Sequence, residues 1–567
     1  MPQYPQQHPA LAQHWQTLSL QEQVAQRLIL GFDGCRPGPE IERFFSLGLG
    51  GVIFFRHNFA LAEQQQDPKV VQELLFRVAQ DIPERFPRPF LSLDQEGGQV
   101  ERLAHTLFPS LPTPLAIAQH PQPKPYAQQV YQTLAEGLAA LGFNLNYAPT
   151  LDVNLNPNNP IIGVRAFGST AQTVWSLGQV ALQAHQAGNV IPVIKHFPGH
   201  GNGTVDSHES LPTLLFTEEE LWPFQQAIAA GAPVVLVSHG TYPALQADEE
   251  PHLPASLSPK ILQGLLRGRC GFQGVVVTDD LCMGAITQFG DPVSVALQSV
   301  AAGMDMLLYR QASQAEWQVL EALTHALEEG RLDRVAHEES LMRIFALKQA
   351  FGLLPQKVPA APAVSIPQQK KLPHWLSDPS ARNTQANTLA DTLVRALVDE
   401  PGTSIQLDPH QPLALIHPDR AHLSNYRFDV GSSPELNELL VAAGWSLACN
   451  LVYHSASQAT PSAPASPESS VPPGWAETFD QLATAGVSQG MVVTWLPHQG
   501  QEVLRALYAN QTLAQMAQQW FIVSVGYPAD RTEAMVPALW QQKLRWIDLC
   551  TYRPAHMQAL VAALRGG

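Results

Sequence analysis

A chain of 567 residues is too long for one ordinary core and points to two large domains, and 45% hydrophobic residues are enough to fill them. A formal charge of −16, spread along the chain, sets it against nucleic acid and anionic membrane surfaces, both polyanions, and in favour of a small neutral or amphoteric ligand. Cys35, Cys270, Cys282, Cys449 and Cys550 are far apart, odd in number and form no CxxC, which argues against a disulfide framework or a zinc cluster and for a reducing compartment.

In chain order, residues 1–17 read as an N-terminal tail. They lack the basic stretch followed by an apolar one that marks a signal peptide. No run of about 18 apolar residues follows, so no membrane span is expected and the location expected is cytoplasmic. The first ordered element starts at Ser19, where Glu22 completes a capping box and Val24, Leu28 and Ile29 supply an apolar helical face. That face overlaps the first of eight short apolar runs of strand character. The runs are Leu28–Phe32, Gly51–Phe55, Phe90–Leu93, Phe143–Tyr147, Val190–Ile194, Val234–Val237, Val275–Thr278 and Met304–Leu308. The segments between them read mostly as helices. One opens at Thr217, with Glu220 at the box position and Leu221, Phe224 and Ile228 on one face.

Three of these runs carry the chemistry. In Leu91–Leu103, LSLDQEGGQVERL, Asp94 ends a strand, Gly97 and Gly98 allow a sharp turn, and Arg102 can swing back. A carboxylate with a guanidinium serves equally as a sugar-hydroxyl clamp or as a structural ion pair. The run Val190–Ile194 leads into Lys195–His208, KHFPGHGNGTVDSH, where Pro198, Gly199, Gly201 and Gly203 forbid regular structure. Asp206 and His208 are two apart, close enough for the carboxylate to reach the imidazole, raise its pKa and fix its tautomer. That makes a general acid competent near neutral pH. A metal site is the rival, because His196, His200, Asp206 and His208 are all ligand types. Pro198 and Gly199 break the helical face that a four-residue His spacing needs, so no metal is expected. In VVVTDDL, two carboxylates end a strand. Successive strand residues point to opposite sides, so one of Asp279 and Asp280 can face a site while the other turns away or caps a helix.

The apolar pattern ends near Phe351-Gly352. Residues 353–380 read as a Pro-rich linker, with a basic patch at Lys370-Lys371. A second α/β pattern occupies 381–567, with strands expected at Leu413–Ile416, Met491–Trp495, Phe521–Val525 and Trp546–Leu549. Within it, 455–474 is rich in Ser, Pro and Ala and reads as a disordered insertion.

Eight runs alternating with helices predict an α/β fold with a parallel sheet over 18–352, either a closed barrel or a doubly wound open sheet. The polar residues favour the barrel. Six runs end in such groups: Arg56-His57-Asn58, Asp94-Gln95-Glu96, Asp152, Lys195-His196, Ser238-His239 and Asp279-Asp280. A barrel gathers its C-terminal strand ends at one site, which explains the repetition. A carboxylate nucleophile, a separate proton donor and further polar clamps read as a glycosidase site, unusual in taking a histidine as the donor.

These residues resemble glycoside hydrolase family 3, in its bacterial β-N-acetylhexosaminidase branch. The resemblance is carried by Asp94-Gln95-Glu96-Gly97-Gly98 with Arg102, by Ala148-Pro149 to Asp152 followed by Arg165-Ala166-Phe167-Gly168, by the KHFPGHG…DSH loop, and by Thr278-Asp279-Asp280-Leu281 with Met283-Gly284-Ala285. It implies an N-terminal TIM-type (β/α)8 barrel followed by a smaller C-terminal α/β sandwich domain. It implies Asp279 as the nucleophile of a retaining reaction through a glycosyl-enzyme, His208 as acid/base and Asp206 as its orienting partner. It implies Asp94, Arg102, Arg165, Lys195 and His196 as substrate-binding residues. The substrate implied is a small carbohydrate with a terminal β-linked N-acetylglucosamine, such as a peptidoglycan fragment. No cofactor is implied, and the state expected is a monomer or weak homo-oligomer. Gln99 stands where Arg is usual and Ala166 where Ser is common, both away from the catalytic positions. Other expectations stay open: a phosphorylase on the same scaffold, a β-glucosidase or xylosidase, and a non-catalytic carbohydrate-binding protein. The DSH loop speaks against the second, and the presence of both Asp279 and His208 against the third.

Overall fold

The computed structural model of the chain describes residues 9–157, 159–203, 211–246, 252–355 and 371–398. Beyond these it describes 413–418, 447–453, 489–494, 507, 519–524, 544–548 and 554–564. Eight parallel strands close into a barrel: β1 Leu28–Leu30, β2 Gly51–Ile53, β3 Phe90–Leu93, β4 Leu145–Asn146, β5 Ile191–Phe197, β6 Val234–Val237, β7 Val275–Asp280 and β8 Met306–Tyr309. Closure comes from the ladder between β1 and β8, which pairs Leu28 with Leu307 and Leu30 with Tyr309. The runs are continuously apolar because a barrel strand is covered on both faces, by the interior on one side and by helices on the other. Every residue of β1, β2, β3, β4 and β6 is buried.

A helix Pro9–Gln16, with Leu11 and Trp15 buried, occupies much of the stretch that reads as a tail, and the helix after it, Leu20–Ala25, is shorter than its apolar pattern suggests. The capping box is present in both directions, with Ser19 N–H donating to Glu22 at 2.8 Å. Leu28 and Ile29 leave the helix because both pair in the barrel, Leu28 with Leu307 of β8 and Ile29 with Leu308 of β8 and Gly51 of β2. Barrel closure outweighs helical propensity there. The helix expected at Thr217 is Glu218–Ala229, with Leu221 and Phe224 buried. Strands β5 and β7 run further than their apolar runs, to Phe197 and Asp280, so chemistry-bearing residues sit on the last strand positions.

The C-terminal region holds a five-stranded parallel sheet in the order β10-β9-β11-β12-β13, with β9 Leu413–Pro418, β10 Leu447–Tyr453, β11 Gln489–Thr494, β12 Gln519–Ser524 and β13 Leu544–Asp548. Strand β10 lies outside the sequence expectation. Its sequence LACNLVY is interrupted by Cys449 and Asn450, and it pairs only with β9, at the sheet edge. The helix Pro379–Val398 joins this region to the barrel: Tyr126 Oη donates to Leu389 O at 2.8 Å, and Gln385 Nε2 to Thr133 Oγ1 at 3.1 Å. Most of the expected linker and all of the 455–474 insertion lie outside the described residues. No described helix is long and apolar enough to cross a membrane.

Candidate active site

The C-terminal ends of β3, β4 and β5 meet in one hydrogen-bonded network. At β3, Gln95 Oε1 accepts the backbone N–H groups of Arg102 (2.8 Å) and Leu103 (3.1 Å), folding 95–103 back on itself. Arg102 thereby returns to Asp94, with Nη2 donating to Oδ2 at 3.0 Å. From β5, Lys195 Nζ donates to Asp94 Oδ1 at 2.8 Å and lies 2.6 Å from Glu96 Oε1. Arg165 forks onto Glu96 with contacts of 3.0 and 2.7 Å, the bidentate geometry that a guanidinium and a carboxylate favour.

His196 is oriented from the other side. Its Nδ1 meets Asp152 Oδ2 at 2.7 Å, and its Nε2 lies 3.3 Å from Arg165 Nη2, so Nδ1–H donates to the carboxylate and Nε2 accepts from the guanidinium. Asp152 is fully buried and also accepts the backbone N–H groups of His196 and His200. Burial opposes ionisation of Asp94, Glu96 and Asp152, but cations beside the first two and N–H donors around the third outweigh it. Lys195 and Arg102 hold the Asp94 carboxyl far below the usual range, and Arg165 and Lys195 bring Glu96 down to about 2. His196 keeps Asp152 low. The result is a rigid, ionised rim with alternating charges, suited to fixing the hydroxyls of a sugar.

At the end of β7 the two adjacent aspartates divide. Asp280 is buried and held: Arg310 Nε reaches its Oδ2 at 2.5 Å, and Cys282 N–H and Arg310 N–H donate to its Oδ1 at 3.0 and 3.1 Å. Asp279 is half-buried and accepts the N–H of Asp280 at 2.8 Å. Buried Tyr147, just past β4, feels the charges of both Asp94 and Asp279, which brings the β7 carboxylate to the same site as the β3–β5 network.

The loop after β5 is pinned along its described length. Its Gly201 is pressed so close to the backbone that a Cβ would stand 1.6 Å from Val153 O, which only glycine permits. Asn159 Nδ2 donates to His200 O at 2.8 Å, Asn156 Nδ2 to Gly203 O at 2.9 Å, and Tyr242 Oη to Gly199 O at 2.7 Å. The His200 ring is buried, and neither of its nitrogens has a hydrogen-bond partner among the described residues. Burial lowers its pKa to about 4.

Of the site residues expected from sequence, Asp94, Arg102, Arg165, Lys195 and His196 thus share one network, and Asp279 ends β7, linked to it through the charge that Asp279 and Asp94 both exert on Tyr147. Asp206 and His208 lie outside the described residues. Among the described residues no group of three or more His, Cys, Asp or Glu side chains is arranged to hold a metal ion. Three acidic residues of the site escaped sequence reasoning. Glu96 and Asp152 sit inside recognisable strand-end motifs, but their cationic partners are 69 and 44 residues away. Glu220 reads as half of a capping box; instead, Thr217 caps the helix alone and the Glu220 carboxylate turns to the loop after β5. Two other polar strand ends are structural. Asn58 ties the chain after β1 through Phe32 O and Gly34 O, at 2.9 and 2.7 Å. His239 bridges Ser256 Oγ and Asp280 O, at 2.8 and 3.1 Å.

The chain is similar to known proteins. Residues 30–347 match the glycosyl hydrolase family 3 N terminal domain. The chain is 33% identical over 406 residues to a Beta-hexosaminidase A of Pseudoalteromonas piscicida, a match that takes in 67% of this chain and 65% of that one, just under two thirds of its length. It is 32% identical over 270 residues to a Beta-hexosaminidase of Nitrosomonas eutropha, covering 46% of this chain and 73% of the relative. Among solved structures it is similar to a glycoside hydrolase family 3 beta-N-acetylglucosaminidase from Paenibacillus sp. str. FPU-7, with a TM-score of 0.72 and 29% identity over 97% of both chains.

Proposed function

Since the chain belongs to glycosyl hydrolase family 3, we propose that it is a retaining β-N-acetylhexosaminidase that removes terminal β-linked N-acetylglucosamine from small glycosides. Asp279 attacks the anomeric carbon while protonated His208 donates to the departing oxygen, and a glycosyl-Asp279 intermediate forms. Neutral His208 then takes a proton from water, which displaces Asp279 from the sugar with net retention. An ordinary histidine, with a pKa of about 6.5, is mostly neutral at pH 7, so the Asp206 charge raises the protonated fraction needed for the first step. Asp94, Arg102, Arg165, Lys195 and His196 bind the sugar hydroxyls. The substrates in mind are peptidoglycan-derived fragments met in the cytoplasm.

The observation that carries this reading is the division of labour at β7. Arg310 holds Asp280, whereas Asp279 is half-buried and, with Asp94, exerts its charge on the buried Tyr147. The test is hydrolysis of an aryl N-acetyl-β-glucosaminide beside the matching β-glucoside, with Asp279→Asn as control. The N-acetylated substrate is expected to turn over faster by about 10²-fold or more, with no turnover in the variant. Preference for the glucoside, or an active Asp279→Asn, overturns the proposal.

A further inference from the structure

We infer that Glu220, acting through Asn202, is a positioning residue for the proton-transfer step. It holds together the two chain ends between which Asp206 and His208 are carried, and so rests on the assignment of His208 as acid/base. Glu220 lies on the helix Glu218–Ala229 and is 1% exposed. Its Oε1 accepts Gly201 N–H at 2.8 Å and Asn202 N–H at 3.2 Å. Its Oε2 accepts the Asn202 side-chain amide in a short contact and Thr217 Oγ1 at 3.3 Å. Asn202 then reaches across the loop. Its Nδ2 donates to Leu215 O at 2.6 Å and its Oδ1 accepts Leu215 N–H at 3.0 Å, as a neighbouring strand would. Residues 202 and 215, which flank in sequence the stretch that holds Asp206 and His208, are therefore fixed to each other.

The chemistry of the clamp separates it from ordinary packing. Thr217 already caps the helix, so the helix needs nothing further from Glu220. Among the described residues no cation contacts this carboxylate, and burial together with the Asp152 charge raises its pKa to about 7. A buried carboxylate without a countercharge is costly, and an apolar side chain packs there at less expense to the fold. What it provides is acceptor capacity: all four groups facing it are donors. Glutamine has the same shape but turns an NH2 toward those donors, so Glu220→Gln breaks the clamp with little change in volume.

The experiment uses the full chain and compares kcat/KM on an activated aryl N-acetylglucosaminide with that on an unactivated alkyl one, for Glu220→Gln, Asn202→Ala and His208→Ala. Loss of the acid slows only the substrate whose leaving group needs a proton. His208→Ala is expected to slow the alkyl substrate about 10²-fold more than the aryl one. Glu220→Gln and Asn202→Ala are expected to do so by about 10-fold. Equal losses on the two substrates, or none, in both clamp variants beside a split in His208→Ala overturn the positioning role and leave the acid/base assignment intact. Absence of a split in His208→Ala overturns the assignment, and the positioning role with it. If Glu220→Gln does not fold, Asn202→Ala decides alone, since its bonds to Leu215 are at the surface: a split supports the clamp, and equal or no loss overturns it.

Discussion

Asp279 and Asp280 are neighbours with different surroundings, and the difference sets what each substitution does. Asp280 accepts from Arg310 and from two backbone N–H groups. Asp280→Asn is expected to keep most turnover and to lower stability by about 1 kcal/mol, because the Arg310 side chain is 53% exposed and water screens the pair. Initial rates and thermal melts check this; a dead Asp280→Asn beside an active Asp279→Asn reverses the assignment. Glu96 presents the opposite case, a carboxylate buried between Arg165 and Lys195. Its pKa is lowered from an ordinary 4.5 to about 2, so its contribution to stability is present above pH 4.5 and is lost as pH falls from there toward 2. Melting temperature should drop across that window in the native protein. Glu96→Gln should be less stable at pH 7 by about 3 kcal/mol, having left two cations short of a partner, and its melting temperature should vary less between pH 4.5 and 2. A parallel pH dependence in both proteins contradicts the pairing.

At the scale of elements, the apolar runs of β3 and β6 were legible to the residue because a barrel strand is buried on both faces and leaves no polar position to blur its ends. Strand β4 was legible only in outline. Its ladder is two residues long, and Asn146 is spent on the turn after β3, accepting Gln95 N–H and donating to Gln95 O, both at 2.9 Å. The loop after β5 was legible as irregular from its glycines and prolines, but the reason for each glycine was not. Gly201 is required by the approach of Val153 O from the chain beyond β4, about fifty positions earlier, and no local pattern records that. Gly201→Ala must push the loop or the β4 end aside. A displacement of about 1 Å at a catalytic loop costs about 10²-fold in rate, so kcat should fall by that order with the far-ultraviolet circular dichroism unchanged. Near-native kcat would show that the loop tolerates the shift.

For the molecule as a whole, the helix Pro379–Val398 buries Leu389, Leu393 and Val394 in the same core as the barrel helices, and Trp375 meets Phe108 edge to face with ring centroids 6.3 Å apart. The C-terminal region therefore covers one flank of the barrel through this helix. A chain ending at residue 355 uncovers Phe108 and Tyr126 and is expected to melt several degrees lower while still hydrolysing the aryl substrate, since all the proposed catalytic and sugar-binding residues precede the cut. A folded but inactive truncation would show that the C-terminal region supplies part of the site.

The sequence alone determined the eight strand-length runs and the strand ends that carry Asp94, Lys195, His196 and Asp279, and it favoured a barrel over an open sheet; Arg165 entered only through the family resemblance. The runs and strand ends follow from local information: apolar runs of strand length, turn residues, and polar groups at a repeated position. Only the tertiary structure decided which carboxylate meets which cation, which of two adjacent aspartates is held by Arg310, and that Glu220 faces the loop after β5 and not its own helix. Those outcomes depend on contacts between residues 18 to 101 positions apart, formed when the barrel closes and low-dielectric burial makes each pairing decisive.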